Sequence, residues 1–450
     1  MTLSVAELRP VLYDLFHDTA DQLARETGFV RRARKLTGAV FAQALVFSLL
    51  EDPDATLDDF ADLAEDLLGD SVTGQAFDKR FTPEAVESLR DLFLEAFNRC
   101  FASSRAALLP VLRRFPAVFL RDATLVGLPA CLARLFPGRG GRHVPHGQAA
   151  AIKLVFEAEV TRGELTEVSI LAGLDNERTS EVAGKPLPER ALLLEDLGFF
   201  SGERLQAHMD QGVYVLTRVP AWTAFFDEDG RRLDLVQELR KVKADWLDRP
   251  IRLLHDRKLK VRLLAVRVPE EEAQQRRERV RREAKQRGRS VSQKKLDLCE
   301  WNLLVTNLPE SMLSVWEAGA LRRVRWQVEL VFKVFKSEGK IDQTRSQCPC
   351  RVLCELYAKL LGMVVQQWTL LAAGYEMLRH SARRAARRVR KRARQLLAGL
   401  KDAATFLREV LRLARALHRR CRIQRRKAGP STLDRLNALD PQCEELRQVA

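Results

Sequence analysis

Ala117-Val118-Phe119-Leu120-Arg121-Asp122 is a short apolar run that ends in an acid. The residues before it carry a different texture. Up to about residue 110, apolar side chains recur at spacings of three and four (Leu45, Leu49; Leu89, Leu92, Phe93), which predicts helices. Thr82-Pro83-Glu84 is a helix start, with a capping threonine and proline at the first position. After Pro116, runs of apolar residues appear at 117–122, 154–159, 167–171, 191–194 and 213–219. Thr161-Arg162-Gly163-Glu164 joins the second and third as a hairpin. Helical residues (Pro188 to Leu193, Gly202 to Met209) lie between or overlap the later runs. Five strands with intervening helices predict an α/β fold built on a mixed sheet.

Further along, strand-like pieces at 251–254 and 261–268 surround a turn at Asp227 to Gly230, and Trp301 to Leu308 returns to strand. A charged stretch from Glu270 to Arg289 is either an exposed helix or a disordered loop. Gly319 to Lys336 and Leu353 to Met377 predict helices, followed by an arginine-rich helical tail. The boundaries that result are a helical region at 1–110, a core at 111–220 and 309–376, a β-rich insertion at 221–308, and a basic helical region at 377–450.

Composition limits the class. The 450 residues are 46% apolar and 30% charged, which excludes a wholly disordered chain, a collagen-like fibre or a small disulfide-stapled scaffold. The longest membrane candidate, Leu360 to Gly374, is interrupted by Gln366-Gln367, and the N-terminus lacks a basic-then-apolar leader. A soluble, cytoplasmic protein with no membrane partner is expected. Of the eight cysteines, Cys348, Cys350 and Cys354 cluster without a nearby histidine, so ordinary thiols are expected there. The net charge of +16 is concentrated: Met377 to Lys427 holds 19 Lys/Arg against two acids, whereas Glu51 to Asp66 holds eight acids and no base. A concentrated basic region fits a polyanion such as nucleic acid, gripped by its backbone, or else a solvated basic helix.

Three acids stand out by context. Asp122 and Asp196 each end a core strand, and Glu329 lies within a long helix. Converging carboxylates are hard oxygen ligands suited to Mg²⁺, and a two-metal site cuts phosphodiesters; taken singly, each acid could equally be an exposed carboxylate. On the Glu329 helix, Arg322, Arg325, Glu329 and Lys336 fall within roughly a 60° arc, apart from an apolar stripe of Val324, Val328, Val331 and Phe335. That arrangement suits a metal ligand between phosphate-gripping cations, or an exposed helix with an Arg325/Glu329 pair.

The segment Arg322 to Lys336 resembles the Tyr-x2-Arg-x3-Glu-x6-Lys signature of one group of DDE insertion-sequence transposases, with Arg322 in place of the tyrosine. Asp122-Ala123-Thr124, Glu195-Asp196-Leu197-Gly198-Phe199 and Glu300 to Asn307 resemble that family's other motifs, in the same order. Gly28 to Arg32 and Gln75 to Phe81 are similar to its N-terminal DNA-binding region, so the resemblance spans residues 20 to 375. It implies an RNase H-like mixed five-stranded sheet flanked by helices and interrupted by the β-rich insertion. It also implies that Asp122, Asp196 and Glu329 are the catalytic, metal-binding triad for two Mg²⁺ ions, with Mn²⁺ able to substitute. Arg325 and Lys336 would hold phosphates, Arg322 would contact the DNA backbone, and Trp301 would stack on a flipped base. The implied activity is cut-and-paste transposition at terminal inverted repeats of double-stranded DNA, in a homodimer acting on nucleoid DNA. Trp301 is otherwise a core tryptophan. Two other functions remain open: an inactive DNA-binding derivative of a transposase, and an RNase H-like structure-selective nuclease.

Overall fold

In the computed structural model, the described residues are 5–423 except 33–34, 100–109, 139–148, 162–163, 221–222, 255–258, 287, 323–335 and 377–378. Arg325 and Glu329 therefore lie outside them.

The first part of the chain is helical, and its helices begin where side chains can cap them. Thr37 accepts a hydrogen bond from Val40 N and starts Gly38–Glu51. Thr56 and Asp59 form a capping box for Leu57–Leu68, and Thr82 with Pro83 starts Pro83–Asn98. The Gly38–Glu51 helix is buried almost all round, which marks a central helix rather than a surface one. It packs against a second central helix, Pro349–Ala372, that is equally enclosed. Gly362 faces Val46 and Leu50 at that contact. No helix among the described residues is long and apolar enough to cross a membrane.

Ten strands form one mixed sheet in the order β3-β2-β1-β4-β5-β10-β9-β8-β6-β7. The first group is β1 (Val118–Leu128), β2 (Ala150–Glu159), β3 (Glu164–Ala172), β4 (Leu192–Glu195) and β5 (Tyr214–Thr217). β2 runs antiparallel to β1 and β3, whereas β1, β4 and β5 are parallel. β2 is buried along its whole length, as expected of a strand covered on both faces. Pro188 to Leu193 is not helical: a turn with Arg190 at φ 62° leads directly into β4.

The later strands are β6 (Phe225–Phe226), β7 (Arg232–Leu233), β8 (Trp246–Leu253), β9 (Leu259–Arg267) and β10 (Trp301–Thr306). They do not form a separate sheet, so the expected five-stranded sheet is half of a ten-stranded one. β5 would otherwise expose an unpaired edge. β10 closes that edge antiparallel through Val305↔Thr217 and Thr306↔Leu216. Asn307 extends the pairing with its side-chain amide, accepting from Val215 N at 2.8 Å and donating to Val213 O at 2.9 Å. The charged stretch forms the helix Glu270–Gln286.

Residue alternation divides the sheet into two faces. Leu120, Leu192, Leu194 and Leu304 join the large core shared with the helices. Phe119, Leu193, Val215 and Trp301 join a second core on the other face.

The basic C-terminal helices Ala382–Arg390, Ala393–Lys401 and Ala403–Arg420 fold back onto the body. Part of their charge is matched internally. Arg383 and Arg387 donate to buried Glu338 at 2.5 and 2.8 Å, Arg394 pairs with Glu51 at 2.6 Å, and Arg392 and Arg412 both pair with Glu409. The acidic stretch at 51–66 and the arginine-rich tail are therefore partly each other's counter-charge.

Candidate active site

The site begins with a rung of the sheet. Arg121 pairs in register with Glu157 of β2 on one side and with Glu195 of β4 on the other. The parallel ladder between β1 and β4 ends at that rung. One residue later on each strand stand Asp122 and Asp196, on neighbouring backbones that are about 5 Å apart in a sheet. Alternation turns both carboxylates toward the face of Leu120 and Leu194, the face covered by helices. Asp122 is 8% exposed, and its Oδ1 accepts from Ala123 N at 2.9 Å. Asp196 is half-buried and opens the single turn Leu197–Phe199. The structure thus sets the two aspartates on neighbouring strands, but only Asp196 follows a strand end: Asp122 lies inside β1, which runs on to Leu128 because β2 keeps pairing with it.

The helix that leads toward Glu329 starts earlier than its apolar period suggests. Ser314 and Glu317 form a capping box: Glu317 N donates to Ser314 Oγ at 3.3 Å and Ser314 N donates to Glu317 Oε2 at 2.9 Å. Glu317 also takes a two-pronged pair from Arg114, at 2.7 and 3.1 Å, and the same guanidinium donates to Met312 O. Arg114 lies just ahead of β1, so one buried carboxylate fixes the helix start to the entry of the first core strand. Ser314-x-x-Glu317 is the signal that could have revealed this in the sequence.

The two described ends of the signature segment are both anchored. Arg322 Nη1 donates to Asn302 Oδ1 of β10 at 2.5 Å, and Arg276 Nη2 donates to the same oxygen at 2.8 Å. Lys336 Nζ donates to the Leu125 carbonyl of β1 at 2.5 Å. Burial lowers the Lys336 ammonium pKa below its ordinary value, against the opposing pull of Asp342. β1 and β10 flank β4 and β5 in the sheet, so Arg322 and Lys336 stand on either side of the strand that ends at Asp196.

Trp301 is placed differently. It is 6% exposed, lies in the second core, and carries the Arg267 guanidinium 4.4 Å from its ring centroid. It lines a cavity of about 200 Å³ with Arg240, Arg267, Asp297 and Glu300. The structure does not bring it to the face that holds Asp122 and Asp196.

Beneath the aspartates, on the opposite face, lies a buried ionic cluster with no counterpart in the sequence reading. Arg121 is fully buried; its Nε donates to Glu157 Oε2 at 2.9 Å, and its Nη1 lies 3.5 Å from Glu195 Oε1. It also donates to the carbonyls of Ala183 and Lys185. His208 Nε2 lies 3.4 Å from Arg121 Nη1, and burial, with the charges of Arg121 and Arg204, lowers its pKa to about 4. His208 is therefore neutral at pH 7. An arginine in an apolar strand was the available sequence signal, because a buried arginine needs partners on both sides.

Two aspartates on adjacent strands, one within β1 and one just after β4, offer hard oxygen donors, the chemistry that divalent cations such as Mg²⁺ require. No group of three or more His, Cys, Asp or Glu able to hold a metal occurs among the described residues, which exclude Glu329. The molecule is a mixed α/β protein with a paired-carboxylate site flanked by cations.

Residues 174–364 match the family model for the transposase DDE domain, a span that includes Asp196, Trp301 and the signature segment. The chain is 25% identical over 408 residues to the transposase for insertion sequence element IS231D of Bacillus thuringiensis subsp. finitimus, covering 85% of this chain and 84% of that one. It is 24% identical over 371 residues to the transposase for IS1151 of Clostridium perfringens, covering 77% and 76%. A solved structure, the piggyBac transposase synaptic complex with hairpin DNA, aligns with a TM-score of 0.44 at 10% identity, over 94% of this chain and 87% of that one. Over most of its length the chain is thus similar to insertion-sequence transposases, and these similarities support a DDE transposase.

Proposed function

We propose that this chain moves an insertion sequence by cut-and-paste transposition, cutting at terminal inverted repeats and joining the freed ends to target DNA. The observation that carries the proposal is the register Arg121↔Glu195, which sets Asp122 and Asp196 on neighbouring strands just past the last pair of the parallel β1–β4 ladder. The strand order β3-β2-β1-β4-β5, in which β2 alone runs antiparallel to the other four, supports an RNase H-like core within the larger sheet. The family works with divalent metal ions, and Mg²⁺ fits the donors here. Asp122 and Asp196 would hold the ions together with Glu329, which lies between the anchored residues Arg322, held on β10, and Lys336, held on β1. When bound, two such ions supply an activated nucleophile and stabilise the leaving oxygen of a phosphodiester.

The remaining work falls to the chain's own side chains. Lys336 and Arg325 hold backbone phosphates beside the scissile bond. Arg322, at the tyrosine position of the signature, can offer a forked pair of donors to a phosphate. Held on Asn302, it also ties the signature segment to β10. Trp301, buried in the second core and covered by Arg267, takes no part at the aspartate face in this arrangement. Each end is first nicked by water. The 3′-hydroxyl so released attacks the opposite strand, closing a hairpin, and after reopening attacks the target. Pairing two ends requires a homodimer, and the substrate places the protein on nucleoid DNA in the cytoplasm.

The test uses the full chain with DNA carrying the inverted repeats that flank its gene, in Mg²⁺ or Mn²⁺. End-specific nicks, hairpins and strand-transfer products are expected. Asp122→Asn, Asp196→Asn and Glu329→Gln should each remove the products and keep end binding. End binding without any product from the wild type would identify a transposase-derived DNA-binding protein instead. Cutting that ignores the repeats would identify a structure-selective nuclease.

A further inference from the structure

Glu157, Arg121 and Glu195 form one lateral rung across β2, β1 and β4, directly beneath the rung that carries Asp122. All three side chains are buried. A second arginine, Arg204 of the helix Gly202–Asp210, reaches the same place. Its Nη2 donates to Glu195 Oε1 at 2.5 Å, its Nη1 to Phe199 O at 2.9 Å and its Nε to Ala183 O at 3.2 Å. Glu195 and Phe199 lie on either side of Asp196, so a single guanidinium spans the turn that presents this aspartate.

Buried ion pairs are a poor source of stability, because desolvation offsets most of their attraction and apolar replacements are often as stable. They fix geometry instead. A guanidinium is a rigid planar fork, and each donor that it commits defines a direction. Arg121 ties β4 to β1 at the last rung of their ladder, and Arg204 ties the turn after Asp196 back to that rung. The separation of Asp122 and Asp196 is set at this point, beyond the reach of backbone pairing. A misplacement of about 1 Å at a reacting centre can cost about a hundredfold in rate.

We propose that Arg121 and Arg204, converging on Glu195, are positioning residues that fix the Asp122–Asp196 spacing for divalent-cation binding. This rests on the site reading above. The clamp acts from the opposite face of the sheet and touches neither the ions nor DNA.

The experiment titrates Mn²⁺ into the DNA-free full chain, following free Mn²⁺ by electron paramagnetic resonance, and repeats the titration as nicking activity. Glu195→Gln and Arg204→Lys are the variants. The second keeps the charge, sits at the rim with a side chain 16% exposed, and remains informative where the first does not fold. Each should raise the half-saturating Mn²⁺ about tenfold, with nicking partly recovered at high Mn²⁺. Leu253→Ala, a cavity at a fully buried residue of β8, should lower the melting temperature without moving the Mn²⁺ curve. Half-saturation within twofold of wild type in the folded clamp variants would overturn the proposal, as would an equal shift in Leu253→Ala. If Asp122→Asn and Asp196→Asn leave Mn²⁺ binding intact, the site reading fails and the clamp fails with it.

Discussion

Removing one carboxylate, that of Glu317, should loosen the helical turns at 315–322, which lead into the signature segment, more than any exposed substitution nearby. Glu317 is 7% exposed and does two jobs: it completes the Ser314 capping box and receives the forked Arg114 pair. A lost cap costs about 1 kcal/mol. Loss of charge-assisted hydrogen bonds to a partly buried arginine costs about 1.5–3 kcal/mol. For Glu317→Ala the sum is about 3 kcal/mol, which corresponds to roughly a hundredfold loss of protection. Amide hydrogen exchange over residues 315–322 measures it directly. Glu317→Gln separates the two jobs, because glutamine still closes a capping box while giving up the ion pair. It should lose about half as much. Crossing Glu317→Gln with Arg114→Met should then show strong coupling, since the two residues share one interaction. Protection within threefold of wild type in Glu317→Ala would refute the reasoning: the helix start would then be held by apolar packing of Leu313, Val315 and Leu321 alone.

Other outcomes follow from the same packing. His208 has its pKa lowered from 6.5 to about 4, so the unfolded chain binds its proton first as pH falls. Its contribution to stability is complete above pH 6.5 and lost towards pH 4, by about 3 kcal/mol, and denaturant titrations should show this loss in wild type and not in His208→Gln. Gly38→Ala would press a methyl group onto Ala24 and to within 2.5 Å of the Ala20 carbonyl oxygen. Although alanine favours helix by about 1 kcal/mol, overpacking of about 1–3 kcal/mol should win. A net loss of urea stability is expected, and a gain would show that the Ala20–Glu26 helix yields easily.

Much of this molecule is legible along the chain. The period of three to four before residue 110, the Thr82-Pro83 start and the alternating runs after Pro116 are local signals, each set by backbone geometry and burial. Asp122 and Asp196 could be picked out because each follows an apolar run; β4 does end before Asp196, whereas β1 runs past Asp122 to Leu128 because β2 goes on pairing with it. The hairpin at 161–164 was equally plain, and β2 and β3 pair across it. The Ser314-x-x-Glu317 box was present in the sequence but outweighed by the stronger apolar period that begins at Gly319.

What the chain does not encode locally is which strands become neighbours. The parallel register Arg121↔Glu195 joins residues 74 apart and depends on the helices that cover both faces. The merging of the insertion into one ten-stranded sheet rests on two residue pairs between β10 and β5 and on the Asn307 amide. Charge is the clearest case. Sequence shows an acidic stretch and a basic tail, and by itself suggests an external polyanion. Folding sets Arg394 on Glu51 and several tail arginines on Glu338, since opposite charges attract once the chain brings them within a few ångströms. Sequence determined the elements and the chemistry they carry. Long-range pairing decided where that chemistry converges.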